Sequence, residues 1–155
     1  MRSILLPVAA SLLLLSSAAQ NTASAQAAAS TRPYREGPVV SVSYIRTKPG
    51  MFDRYMEYLN GPYKANLEAQ KAAGLVLDYG IFVSAETRNP ADHDVMLTTT
   101  YRNWAAFDGL SDKQETVANR TLQSTPQQRN QQFADRSAMR ESIGGRTYQQ
   151  LIFPK

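Results

Sequence analysis

The chain has 155 residues, with 17 lysines and arginines against 13 aspartates and glutamates, a formal net charge of +4, and no cysteine. Without cysteine it has no disulfide framework, no thiolate nucleophile, no cysteine-ligated metal or cluster, and no lipoprotein anchor. The basic residues are scattered rather than clustered, which is typical of solvated surface, and we expect no nucleic-acid partner.

The first 25 residues have the three parts of a secretory signal peptide. Arg2 precedes an almost unbroken apolar segment from Ile4 to Leu15, and small residues follow, with predicted cleavage after Ala25 or Ala27. The apolar core is shorter than the about 20 residues that a membrane-spanning helix needs, so we expect no stable membrane insertion after cleavage. The sequence therefore predicts an exported protein, located in the periplasm or outside the cell.

The segment after the signal peptide begins with a leader and a strand. Residues 26–37 are rich in Ala, Ser and Gln without periodicity, which predicts a flexible leader, and residues 38–155 are predicted to form a single domain. Val39 to Thr47 is β-branched and partly alternating, which predicts the first strand. Lys48-Pro49-Gly50 ends this strand, because proline cannot donate to a sheet and glycine permits a sharp turn.

A helix in two halves is predicted next. Its first half carries an apolar stripe at i, i+3, i+4 and i+7, formed by Phe52, Tyr55, Met56 and Leu59. Asn60-Gly61-Pro62 predicts a break or a strong kink. The helical pattern resumes through Tyr63, Leu67 and Gln70, and Gly74 is a plausible stop.

Two more strands and a short helix follow. Leu75 to Ser84 and Val95 to Tyr101 are predicted strands, joined by a loop from Glu86 to Asp92. Asn103 can cap a short helix, which Gly109 ends.

The last part of the chain predicts two helices and a fourth strand. Capping-box pairs mark the two helix starts, Ser111 with Gln114 and Thr125 with Gln128, and Pro126 occupies the favoured first position of the second helix. The second helix is predicted to end by Ile143-Gly144-Gly145, and Arg146 to Phe153 is the last strand. The order βαββαβ predicts a ferredoxin-like α+β fold, in which one antiparallel four-stranded sheet carries helices on one face.

Two segments resemble a known group of proteins. Val40 to Tyr55, with its strand, Lys-Pro-Gly turn and amphipathic helix, resembles the opening of dimeric α+β-barrel proteins, as does Thr100 to Phe107 at the step from strand to helix. This group includes the antibiotic-biosynthesis monooxygenase-like, NIPSNAP-like and EthD-like families. The resemblance implies that two sheets pair face to face into a barrel, and hence that the protein is a homodimer.

Four residues are candidates for catalysis. His93 is the only histidine, and the flanking Asp92 and Asp94 would raise its pKa and orient it as a base, although an exposed loop histidine is the ordinary alternative. Asp78 lies inside the second strand, where it is either an acid or base in a cleft or a member of an ion pair with Arg102 or Arg146. The strand tyrosines Tyr44 and Tyr101 complete this candidate set.

Four further residues are candidates for ligand contacts, namely Tyr148, Trp104, Thr98 and Thr100. They could line a cleft for an aromatic substrate, or simply pack in the core or a dimer interface. No metal-binding, nucleotide-binding or hydrolase motif is present, and we expect no cofactor and no metal. The favoured hypothesis is an exported protein that binds a small apolar or aromatic ligand in the barrel cleft. The alternative is a cofactor-independent monooxygenase or isomerase, which the resemblance and the strand tyrosines suggest.

Overall fold

A four-stranded antiparallel sheet is the centre of the fold. The computed structural model describes residues 32–85, 92–123 and 125–155. Its strands are β1 (Arg35–Thr47), β2 (Asp78–Val83), β3 (Val95–Tyr101) and β4 (Arg140–Ile152), in the spatial order β2-β3-β1-β4 with every neighbouring pair antiparallel. This fold is the predicted ferredoxin-like α+β arrangement. The predicted signal peptide and the loop over residues 86–91 lie outside the described residues.

The helices connect the strands in two groups. The first group is α1 (Phe52–Tyr58), a wide helical turn (Leu59–Tyr63) and α2 (Lys64–Ala72), and the second is a 3₁₀ turn (Trp104–Phe107), α3 (Leu110–Leu122) and α4 (Pro126–Met139). Helix α2 packs against α3, and α1 packs against α4. Among the described helices, none is long and apolar enough to cross a membrane.

The hydrophobic core lies between the sheet and the helices. Ile45, Val95 and Leu97 point from the sheet into this layer, because residues two apart in a strand share a face. Tyr55 and Leu59 enter it from the first helical group, and Met56 packs against it, whereas Phe52 of the predicted stripe is 36% exposed. Met139 at the end of α4 completes the buried cluster. The opposite face of the sheet carries no helix of the described chain, and we call it the open face.

The last strand begins six residues earlier than the sequence predicted, and the reason is a β-bulge. Tyr44 pairs with Gly144 while Ile45 pairs with Ser142, so Ile143 is the extra residue. Gly144 has a φ of 144°, a conformation that favours glycine. The glycines that predicted a helix end therefore lie inside β4, and α4 ends at Met139.

Two other boundaries differ from the prediction. Strand β1 begins at Arg35, inside the predicted leader, because Arg35 and Glu36 pair with the end of β4. Strand β2 begins at Asp78 rather than Leu75, since the amide of Leu75 donates to the end of α2 instead of a neighbouring strand.

The two capping boxes have different outcomes. The one at Thr125 is confirmed, because the Thr125 hydroxyl accepts from the amide of Gln128 and the Gln128 side chain accepts from the amide of Thr125, with Pro126 opening the helix. The one at Ser111 is wrong: α3 begins at Leu110 after a left-handed Gly109, without a side-chain cap.

Candidate functional site

Three of the predicted site residues meet on the open face. The hydroxyl oxygens of Tyr44 and Tyr148 lie 3.1 Å apart, and the ring of His93 lies 4.8 Å from that of Tyr44. Together with Ile143 and Arg146, Tyr44 and His93 border a shallow depression of about 310 Å³. The hydrogen bond with Tyr148 raises the pKa of Tyr44 above its ordinary value. His93 thus contacts one of the two tyrosines, and the three side chains lie at an exposed surface rather than in a closed cleft.

Asp78 is not part of this cluster. It pairs with Thr100, whereas Tyr44 lies opposite Met96, so the two sites are at different ends of the sheet. Its partner is neither of the predicted arginines but Lys71 of α2, whose Nζ lies 2.9 Å from the carboxylate. The hydrogen bond from Lys71 lowers the pKa of Asp78, and the backbone amide of Tyr79 adds to this effect. Asp78 is thus a member of an exposed ion pair.

The remaining predicted residues are divided between the two sides of the sheet. Thr98 and Thr100 share the open face with Tyr44 by register. Tyr101 points the other way, is buried, and lies 4.7 Å from the ring of Phe107. Trp104 is 52% exposed beyond the end of β3 and contacts the same ring. These residues therefore do not form one ligand site.

A larger cavity lies between the sheet and the helices. It has a volume of about 590 Å³, within the range of roughly 300–1,000 Å³ that is usual for small-molecule sites. Its lining comes from β3, both helical groups and the kink between α1 and α2: Tyr58, Pro62, Tyr63, Asn66, Leu67, Gln70, Thr99, Tyr101, Gln114, Glu115, Ala118, Arg129, Gln132 and Arg136. We call this space the helix-side cavity. Only Tyr101 among its residues was predicted as a site residue.

The predicted kink directs residues into this cavity. Gly61 departs from helical geometry, with φ −96° and ψ −108°, and Pro62 follows it. Beyond the kink, Tyr63, Leu67 and Gln70 recur at helical spacing on one face. Gln70 is 4% exposed although it is polar, and the sequence showed only its position on an apolar stripe, which by itself does not mark a site.

A polar network closes one wall of the helix-side cavity. The amide nitrogen of Gln114 in α3 donates to the amide oxygen of Gln70 in α2 at 2.9 Å. Gln114 is also hydrogen-bonded to Tyr101 of β3. Burial raises the pKa of Tyr101, and this hydrogen bond reduces the increase. Burial raises the pKa of Tyr63 to about 12. The cavity therefore presents neutral phenols and fixed amides.

Two arginines from α4 face the same space. Arg129 binds the carboxylate of Glu115 at 3.1 Å and the amide oxygen of Asn119 at 2.5 Å. Arg136 donates to the hydroxyl of Tyr58 at 3.2 Å, and its guanidinium carbon lies 5.4 Å from the ring centre of Phe133. Across the described ranges, no group of three or more histidine, aspartate or glutamate side chains could hold a metal ion.

Comparisons with known proteins give similarities of low identity. No family model matches the chain, and no curated protein matches it. The chain is similar to HapK from Hahella chejuensis at 14% identity and a TM-score of 0.47, covering 72% of this chain and 91% of that one. It is similar to a protein from Shewanella oneidensis at 18% identity and a TM-score of 0.48, covering 77% and 96%. A dimeric ferredoxin-like protein from an uncultured marine organism shows 11% identity and a TM-score of 0.47, covering 78% and 99%. These similarities assign no activity to this chain.

Proposed function

We propose that this protein is an exported homodimer that binds a small ligand with an aromatic or apolar body in the helix-side cavity. The observation that carries the proposal is the cavity of about 590 Å³, whose wall combines the rings of Tyr58, Tyr63 and Tyr101 with the Gln70–Gln114 amide pair. Aromatic rings supply apolar contact area, and a few fixed polar groups set the orientation of a ligand.

The groups in this cavity favour binding over proton transfer. The phenol of Tyr63 is neutral at physiological pH, as any tyrosine is, and burial moves its pKa still higher, to about 12, so it donates a hydrogen bond rather than accepting a proton. Among the described residues, the one carboxylate on the cavity wall is Glu115, which is held by Arg129. The described part of this wall therefore offers hydrogen-bond donors and acceptors, and its carboxylate is stabilised in the charged form by an ion pair.

A second candidate function rests on the open face. The imidazole of His93 beside the Tyr44–Tyr148 phenol pair is an arrangement that a cofactor-independent monooxygenase or isomerase could use, with the imidazole as base. If this site is catalytic, His93→Ala should abolish turnover while leaving ligand binding in the helix-side cavity unchanged.

Homodimerisation is proposed through the open face, with a second copy of this chain as the occupant. This face exposes Phe82 and Tyr148, which are 51% and 45% accessible, next to Val40 and Met96. Exposed apolar side chains on one sheet face lose their contact with water when an identical face covers them. The result would be two sheets packed face to face.

Light scattering tests the dimer. The double variant Phe82→Glu and Tyr148→Glu should be monomeric at tens of micromolar, where the unmodified protein should be dimeric. The matched control is Phe133→Glu, because Phe133 is an exposed aromatic on α4, away from the open face. A monomeric unmodified protein would overturn this part of the proposal.

Export is tested by fractionation and N-terminal sequencing of the protein from its own host. The mature protein should be recovered outside the cytoplasm and should begin after Ala25 or Ala27. Recovery from the cytoplasm with an intact N-terminus would contradict the proposal.

Ligand binding is tested by native mass spectrometry of the protein from the envelope fraction. A bound small molecule should be present in the unmodified protein and absent from Ala118→Phe, which fills the helix-side cavity with a ring. Ala134→Phe adds the same ring to an exposed position of α4 and should retain the ligand. Retention by both variants would place the ligand elsewhere.

A further inference from the structure

The charges that face the helix-side cavity do not cancel. Arg129 and Arg136 contribute two positive charges, and Glu115 contributes one negative charge. Glu115 is committed to Arg129 at 3.1 Å. Among the described residues, no carboxylate forms an ion pair with Arg136. One positive charge on the wall is therefore without a local counter-charge.

Arg136 is also held in a fixed, partly dry position. Its guanidinium lies 5.8 Å from the ring centre of Tyr58 and 5.4 Å from that of Phe133, so the two rings flank the cation. A terminal nitrogen of Arg136 donates to the hydroxyl of Tyr58 at 3.2 Å. This contact orients the guanidinium plane without neutralising its charge.

Two buried polar atoms on this wall have no protein partner. They are Nε of Arg136, a donor, and Oδ1 of Asn66, an acceptor. Buried polar atoms are nearly always hydrogen-bonded, and leaving one unpaired is unfavourable. A ligand with one hydrogen-bond acceptor and one donor could pair with both of these atoms.

We propose that the ligand of the helix-side cavity is an aromatic carboxylate, whose carboxylate binds Arg136 and whose hydroxyl or amino group donates to Asn66. This inference rests on the proposed binding function and specifies its ligand class. Guanidinium groups bind carboxylates through two parallel hydrogen bonds, and a carboxylate monoanion matches the single uncompensated charge better than a phosphate dianion does.

The test is calorimetric titration of the full mature protein with three matched probes. Hydroxynaphthoate carries both groups, hydroxynaphthamide replaces the carboxylate with a neutral amide, and naphthoate lacks the hydroxyl. Charge-assisted hydrogen bonds should make hydroxynaphthoate bind about 10- to 100-fold more tightly than hydroxynaphthamide. Asn66→Leu should remove the preference for hydroxynaphthoate over naphthoate.

Variants of Arg136 test whether this residue causes the preference for the carboxylate over the amide. Arg136→Gln should bind the carboxylate and the amide equally, and Arg136→Lys, which keeps the charge but loses the planar fork, should show an intermediate preference. Arg120→Gln removes a positive charge from an exposed position of α3 outside the cavity and should behave like the unmodified protein. Circular dichroism verifies that each variant is folded.

The possible outcomes distinguish the proposed ligand class from the proposed binding function. Equal binding of carboxylate and amide by the unmodified protein would overturn the anion inference and leave the binding function standing. A preference that persists in both Arg136 variants would also overturn it, because the carboxylate would then be bound elsewhere. If none of the probes binds while a different small molecule copurifies with the protein, the ligand class is wrong. If none binds and nothing copurifies, the proposed binding function fails as well.

Discussion

Ionisation of the buried Tyr63 phenol in the helix-side cavity should make the protein less stable at high pH. Burial raises the pKa of the Tyr63 phenol from 10.0 to about 12. Because the folded-state pKa lies above the unfolded one, this contribution to stability is fully present below pH 10 and is lost as pH rises through about 12. Each pH unit corresponds to about 1.4 kcal/mol, so ionising Tyr63 should lower the free energy of unfolding by about 3 kcal/mol, with about half of that loss reached near pH 11.

The assay is urea unfolding at a series of pH values between about 8 and 12, for the unmodified protein and for Tyr63→Phe. The phenylalanine variant lacks the ionisable group, so its stability should fall less across this range, and the difference between the two curves should grow by about 2 kcal/mol up to pH 12. Absorbance titration should show one fewer phenol ionising at high pH. Tyr34→Phe, which removes a phenol beside Phe153 and outside the cavity, controls for the loss of one chromophore.

Parallel stability curves for the unmodified protein and Tyr63→Phe would refute this reasoning. Such a result would mean that Tyr63 is hydrated in the folded protein. The helix-side cavity would then be wetter than its lining indicates.

Three further variants test a close strand contact, a helix cap and a buried hydrogen bond, each by urea unfolding near pH 7. Gly145→Ala should destabilise the protein by about 1–3 kcal/mol, because its Cβ would lie 2.6 Å from the backbone oxygen of Val42; an unchanged midpoint would contradict the close packing of β1 and β4. Thr125→Ala should cost about 1 kcal/mol by removing the cap of α4, with Thr125→Ser retaining most of the stability. Gln114→Leu should cost about 1–3 kcal/mol by leaving the buried oxygen of Gln70 unpaired, and a neutral effect would mean that water replaces this bond.

Several elements could be predicted from the sequence because their signals are local. Strand β3 has the predicted bounds, Val95–Tyr101, because this short segment is rich in β-branched residues, which favour strands. The kink at Gly61-Pro62 and the capping box at Thr125 are also local, because each depends on residues within one helical turn.

The errors occur where pairing between strands overrides a local signal. Gly144 and Gly145 predicted a helix end, but they allow a bulge and a close approach to β1, which depends on a strand about one hundred residues earlier in the chain. Arg35 and Glu36 lie in a strand for the same reason, since their partners are at the end of β4.

The open-face cluster was partly predictable, and the helix-side cavity was not. Tyr44 and Tyr148 lie on predicted strands, so an aromatic sheet face could be expected, although their contact depends on the register of β1 with β4. Gln70 and Gln114 are 44 residues apart and lie on separate helices, so neither one marks a site by itself. Arg136 is an ordinary helix-surface residue by pattern.

The sequence by itself determined the order of elements, the apolar helical stripe, the kink and the candidate aromatic strands, because these depend on residue type and spacing within a few turns. Only the tertiary structure decided which polar residues meet. Packing of α3 and α4 over the kinked first helical group brings Gln114 and Arg136 to the same wall as Asn66, and burial there changes what each group can do. Burial raises the pKa of Tyr63 to about 12, and the packing places Arg136 where no carboxylate of the described residues pairs with it; no local pattern carries that information.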